Sequence, residues 1–169
     1  MIQIYTGDGK GKTTASLGVA IRAAGHGMKV VILQFFKEGK TGEVKFLKRA
    51  KNIKVLQFGT GEFVRDGKVP KKLKEKTQEG WRIAQEFIQD DKTDLIILDE
   101  FTHAINLGII EKDEVLKFLK IHKNSKKEII ITGRNADTSL SELADLVTEM
   151  RKLKHPYDIG IKARKGTEY

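Results

Sequence analysis

The chain has 169 residues, a formal net charge of +9 at neutral pH, 39% hydrophobic and 33% charged residues, and no cysteine. That balance excludes a disordered chain, a disulfide-stapled secreted fold and thiolate chemistry, and no apolar run approaches the roughly 20 residues of a bilayer span. The expectation is a single domain over residues 1–169, placed in the cytoplasm and not in a membrane.

The elements follow in chain order. Ile2 to Tyr5 is a short β-prone run, cut off by glycines at 7, 9 and 11. Leu17, Ala20, Ile21 and Ala24 then recur at helical spacing and stop at Gly25 and Gly27. Val30 to Leu33 predicts a strand, Val44 and Leu47 a short helix, and Ile53, Val55 and Leu56 another strand. Gly59 to Lys72 reads as a long glycine-rich and charged loop, open to two readings, a substrate lid or a tolerated surface insertion. Leu73, Thr77, Trp81, Ala84 and Ile88 mark one face of a longer helix.

Leu95 to Leu98 and Ile129 to Ile131 are continuous apolar runs, the signature of strands covered on both faces, with a helix around Val115, Leu116 and Leu119 between them. Ser139 and Glu142 have capping-box spacing ahead of Leu143, and strands are expected at Leu146 to Met150 and at Ile159 to Ala163. Alternation of this kind predicts an α/β fold: a mostly parallel central sheet flanked by helices, with ligand loops at the carboxyl ends of the strands.

The first of those loops reads Thr6-Gly7-Asp8-Gly9-Lys10-Gly11-Lys12-Thr13-Thr14. It ends as a phosphate loop does, with Gly-Lys-Thr opening a helix, although Thr6 stands where that pattern has its first glycine. Glycines allow backbone N–H groups to turn around phosphate oxygens, and the helix N-terminus adds positive potential. Lys12 would then supply a point charge to phosphate, Thr13 a hydroxyl to Mg2+, and Thr14 a second hydroxyl. The fold expected is therefore a P-loop NTPase-like (RecA-like) three-layer sandwich.

Asp99 and Glu100 end the buried run Leu95 to Leu98, where a carboxylate can hold a metal ion opposite Thr13. Thr13, Asp99 and Glu100 are thus the candidate metal residues, and Lys12 and Glu100 the candidate catalytic ones. Arg134 and Lys37 each follow another strand and are open to two readings, a phosphate contact or a surface salt bridge. No histidine pair has metal-ligand spacing, so zinc is not expected. The lysine clusters at 68–76 and 123–127 lack interleaved aromatic residues, so nucleic acid is not an expected partner.

A phosphate loop names a ligand before a reaction, and no Asn-Lys-x-Asp segment points to guanine, so ATP is the expected nucleotide. A longer set of segments narrows the choice. The loop, then Gly25-His26-Gly27, Val31 to Lys37, Leu98-Asp99-Glu100, Ile130 to Arg134 and the closing Lys154 to Tyr169 occur in an order that resembles the ATP:corrinoid adenosyltransferases. The resemblance implies that a reduced Co(I) corrinoid attacks the 5′ carbon of ATP and expels triphosphate, with the phosphate chain lying in the reverse of its usual direction. It implies Thr6, Gly7, Asp8, Gly9, Lys10, Gly11, Lys12, Thr13 and Thr14 at the phosphates and Mg2+ at Thr13 with Asp99 or Glu100, Mn2+ being an alternative metal. Lys37, Phe63 and Arg134 complete the binding set, Phe63 standing near the place of the family's Gly-Phe-x-Trp aromatics in a segment that here reads Gly61-Glu62-Phe63-Val64.

Some members carry an arm ahead of the first strand. Here Ile2 begins that strand almost at once, which predicts a more open site or one completed by a partner subunit. An electron-donating flavoprotein and a second copy of the chain are the candidate protein partners. Two other readings remain open at this point: an ATPase or small-molecule kinase, and an ATP-responsive binding or regulatory module.

Overall fold

The computed structural model describes residues 1–39, 41–62, 64 and 67–167. Among them, six parallel strands form one sheet in the order β3-β2-β4-β5-β1-β6. The strands are β1 Ile2–Thr6, β2 Val30–Phe35, β3 Ile53–Phe58, β4 Leu95–Asp99, β5 Glu128–Thr132 and β6 Leu146–Glu149. Helices α1 Lys12–Gly25, α2 Gly42–Leu47, α3 Lys71–Gln89, α4 Phe101–Asn106, α5 Lys112–His122 and α6 Thr138–Leu143 connect or follow them.

Strand alternation sends successive side chains to opposite faces, and each face has its own helical cover. On one side Ile32, Ile97 and Ile130 meet Leu17, Ala20 and Ala23 of α1 and Leu47 of α2. On the other, Leu33, Phe35, Leu98 and Ile131 meet Trp81 and Ala84 of α3, Phe101 of α4, and Val115 and Leu119 of α5. This is the three-layer α/β sandwich of the P-loop NTPase-like kind, and it explains why β2 and β4 carry no exposed residue. The predicted face of α3 is buried at all five positions, with Gly80 added where a Cβ would meet the Phe58 ring at 2.7 Å.

Two local expectations are corrected. The cap of α6 is Asp137, whose side chain accepts a 2.9 Å hydrogen bond from the Ser139 N–H, so Ser139 lies inside the helix instead of capping it. Ile159 to Ala163 forms no strand. Instead a 3-10 turn spans Pro156–Ile159, and Gly160 follows with φ 77°. Its turn bonds use the N–H groups of Gly160 and Ile161, while Ile159 and Ile161 point into solvent, so their β-branched side chains find neither ladder nor core.

Because every strand runs the same way, the carboxyl ends of β1, β2, β4 and β5 open on one edge of the sheet. The turns there are tight. Phe36, Glu100 and Asn135, with φ of 59°, 63° and 51°, are the non-glycine residues of positive φ among the described ones, and they follow β2, β4 and β5. Left-handed backbone at a bulky residue costs on the order of 1–3 kcal/mol, so the core on both faces must hold these turns in place.

Candidate active site

The phosphate loop leaves β1 at Thr6 and re-enters secondary structure at Lys12. Gly11 occupies the N-cap of α1 with φ 122°, no side-chain cap satisfies the helix end, and the first turn carries no acidic residue. A 14-residue helix thus presents first-turn amides to any anion held above it. Lys12 is buried, and its ammonium donates to the carbonyls of Gly7 at 2.7 Å and Gly9 at 2.8 Å. Burial lowers its pKa and Arg134 adds to that, while Glu100, Asp8 and Asp99 oppose the shift.

The loop is braced from behind by the chain that leaves β6. The Gly9 N–H donates to the Met150 carbonyl at 2.7 Å, the Met150 N–H to the Thr6 carbonyl at 2.8 Å, and the Lys152 N–H to Asp8 Oδ1 at 3.0 Å. The approach is so close that a Cβ on Gly9 would lie 2.6 Å from the Met150 carbonyl oxygen, and one on Gly7 would overlap that same carbonyl. Asp8 accordingly titrates below the usual carboxylate range, chiefly because of the Lys152 N–H. Thr6, at the first-glycine position, turns its hydroxyl outward to accept from the Ala136 N–H at 3.1 Å, fixing the loop after β5.

Beneath the loop sits Asp99, fully buried, with donors on both carboxylate oxygens. Oδ1 accepts from Thr13 Oγ1 and Thr132 Oγ1, each at 2.8 Å. Oδ2 accepts from the Lys37 ammonium at 2.7 Å and from Gln34 Nε2 at 3.2 Å. Gln34 is itself held by Gln57 at 3.0 Å, its register partner on β3, and Thr132 Oγ1 accepts from the Glu100 N–H at 2.9 Å. A buried carboxylate needs such compensation, and here a chain of side chains across β3, β2, β4 and β5 supplies it.

A cleft of about 720 Å³ opens over these groups. Asp8, Gly9, Lys10, Gly11, Lys12, Thr13 and Thr14 line its floor, and Lys37, Glu100 and Arg134 its walls, so the structure brings together most of the residues singled out in the sequence. Thr6, Gly7 and Asp99 support the floor instead of lining it. Phe63 lies outside the described residues. His103 packs edge-on against Phe36, with ring centroids 4.9 Å apart.

The groups that sequence reasoning missed are the supports. Gln34 carries a signal, being the one polar side chain in the buried run Val30–Phe35. His155, Gly166 and Thr167, which line the cleft from the closing segment, carry none beyond that segment's family resemblance, and the backbone of Met150 carries none. In chemical terms the cleft offers the cations of Lys37 and Arg134, the first-turn amides of α1, the Glu100 carboxylate, and a Thr13 hydroxyl bonded to the Asp99 carboxylate beneath it. That donor set is of the hard-oxygen kind that suits Mg2+, so the residues present fit such an ion.

A family model described as ATP:corrinoid adenosyltransferase BtuR/CobO/CobP matches residues 1–169. The chain belongs to the ATP:corrinoid adenosyltransferase family. It is 38% identical to a corrinoid adenosyltransferase of Sinorhizobium sp, an alignment that covers all of this chain and 80% of the relative. It is 34% identical to one from Pseudomonas aeruginosa and 35% identical to one from Escherichia coli, again over the whole chain and over 83% and 85% of those relatives. The adenosyltransferase is therefore an enzyme of ATP-dependent adenosyl transfer to a corrinoid. Among its described residues no helix is long and apolar enough to cross a membrane.

Proposed function

We propose that the cleft above Lys12 is where this adenosyltransferase performs the transfer, residues 1–169 acting as one nucleotide-binding domain. The polyphosphate of ATP lies over the amides of the loop and the first turn of α1, flanked by Lys10, Lys12, Thr14 and Arg134. Its path runs opposite to the usual one, so that C5′ and not the terminal phosphorus faces the second substrate. The electron pair of Co(I) forms the cobalt–carbon bond, the C5′–oxygen bond breaks, and triphosphate leaves with the electron pair of the broken C5′–oxygen bond as cobalt becomes Co(III).

The chain's part is orientation and charge. Holding C5′ in line with cobalt removes much of the entropic barrier. Lys12 stabilises the negative charge that grows on the departing triphosphate. Mg2+, with Mn2+ as the alternative, supplies further charge neutralisation when held by Thr13 with Asp99 or Glu100. No side-chain nucleophile is needed, since the corrinoid is the nucleophile. The substrate cobalt must arrive reduced, which calls for an electron donor of the flavoprotein class. A second copy of the chain would complete the open side of the cleft, and the cytoplasm is the compartment that provides ATP.

The observation that carries this reading is the cluster of Lys12, Thr13 and Asp99 at the start of α1 in a chain of this family. An anaerobic assay with chemically reduced cobalamin, ATP and Mg2+ tests it. Adenosylcobalamin and intact triphosphate should appear in equal amounts. ADP and orthophosphate as the products would instead mark an ATPase or kinase.

A further inference from the structure

Lys37 is held in place by its surroundings. It follows Phe36, whose φ of 59° turns the chain at the end of β2, and its backbone is pressed by the start of the next loop, where a Cβ on Gly59 would lie 2.6 Å from the Lys37 carbonyl carbon. From that root the side chain reaches back over β4. Its ammonium donates to Asp99 Oδ2 at 2.7 Å and to Thr13 Oγ1 at 3.1 Å.

Thr13 Oγ1 sends its own proton to Asp99 Oδ1. The lone pairs of that hydroxyl therefore face Lys37. A divalent cation bound to Thr13 would need the same lone pairs, at about 2.1 Å for Mg2+. An ion there would lie next to the ammonium, inside a pocket where screening by water is weak. Repulsion between the two cations opposes their sharing Thr13.

We propose that the Lys37 ammonium and the divalent cation are alternative occupants of one position between Thr13 and Asp99, so that metal enters only together with nucleotide. The proposal rests on the reading of the cleft as a metal–nucleotide site and adds an order of events to it. Without nucleotide, Lys37 balances the buried charge of Asp99 and keeps free metal out. When a metal–polyphosphate complex arrives, its oxygens attract the ammonium of a Lys37 side chain that is 28% exposed and lines the cleft. Lys37 then moves to phosphate and yields Thr13 to the metal.

Mn2+ titrated into the full chain without nucleotide, followed by the loss of the free-ion electron paramagnetic resonance signal, tests this directly. The wild-type chain should bind weakly, and Lys37→Met should bind at least about tenfold more tightly. Lys37→Gln removes the charge but keeps a polar head group, and should show the same change, which keeps the test decisive if Lys37→Met does not fold. Arg134→Met, on another wall of the same cleft, should change Mn2+ affinity by about twofold or less. Unchanged affinity in both Lys37 variants, or equal tightening in Arg134→Met, would overturn the proposal. No nucleotide or corrinoid is present, so that failure leaves the transfer reaction standing, and a failed transfer assay leaves the Mn2+ result standing.

Discussion

At the scale of single residues, Lys12 combines two roles that pull in opposite directions. Its ammonium is bound to loop carbonyls and its burial disfavours the charged form, so an arriving polyphosphate is met by a cation that gains from the encounter. Lys12→Ala is expected to lower kcat by roughly 100-fold to 1000-fold, the range for loss of one preorganised stabilising group. Steady-state kinetics with reduced cobalamin would show it, and a variant with near wild-type kcat would remove Lys12 from the role. Lys12, Thr13 and Asp99 were legible in the sequence because their signals are local: a lysine and a hydroxyl closing a run of glycines, and an acid closing a buried apolar run. Gln34 and Thr132 were not singled out as supports of Asp99, because their meaning depends on which strands are neighbours. That order, with β2 and β5 on either side of β4, is a non-local fact.

At the scale of elements, the glycines of the phosphate loop prove to serve packing as well as ligand approach. Gly9→Ala would drive a methyl group into the Met150 carbonyl and the Arg151 backbone, 2.6 and 2.9 Å away. Overpacking against backbone that cannot yield should cost about 1–3 kcal/mol in urea unfolding and weaken ATP binding by displacing the loop. Unaltered stability with unaltered binding would mean that the β6 extension moves freely.

A second element-scale prediction concerns Asp90, at the end of α3. Burial pushes its pKa up, but the Thr93 N–H, the Lys127 ammonium and the other donors around it hold it at about 2. This folded value lies below the ordinary 3.8, so the stabilisation is fully present above 3.8 and declines as pH falls from there through about 2. Asp90→Asn should therefore cost about 1 kcal/mol at pH 7 and less at pH 3, measured by urea titration at both. An equal loss at the two pH values would contradict the assignment. Helix α3 and its buried face could be read from periodicity, whereas this cap could not, since its partner Lys127 lies on the far side of β4 in sequence.

At the scale of the whole molecule, alternation of apolar runs and helical patterns made the parallel sheet and its helical layers legible. The closing segment did not yield to the same reasoning. Its residues 151–167 carry neither strand nor long helix; the chain there is tied to the phosphate loop at Met150 and Lys152, and His155 and Thr167 line the cleft. Propensity is blind to such a role, because the bonds that tie Met150 and Lys152 to the loop join residues more than 140 positions apart in sequence. Both ends of the described chain thus meet at the site, β1 supplying the loop and the segment after β6 bracing it.

An architecture of this kind, in a chain of this family, serves attack at carbon and not at phosphorus. Turnover under anaerobic conditions with ATP carrying oxygen-18 at the 5′ bridging position, followed by mass spectrometry of the products, tests it most directly. The label should leave in triphosphate as adenosylcobalamin forms. Label retained on the adenosine side, in ADP or AMP, would contradict it.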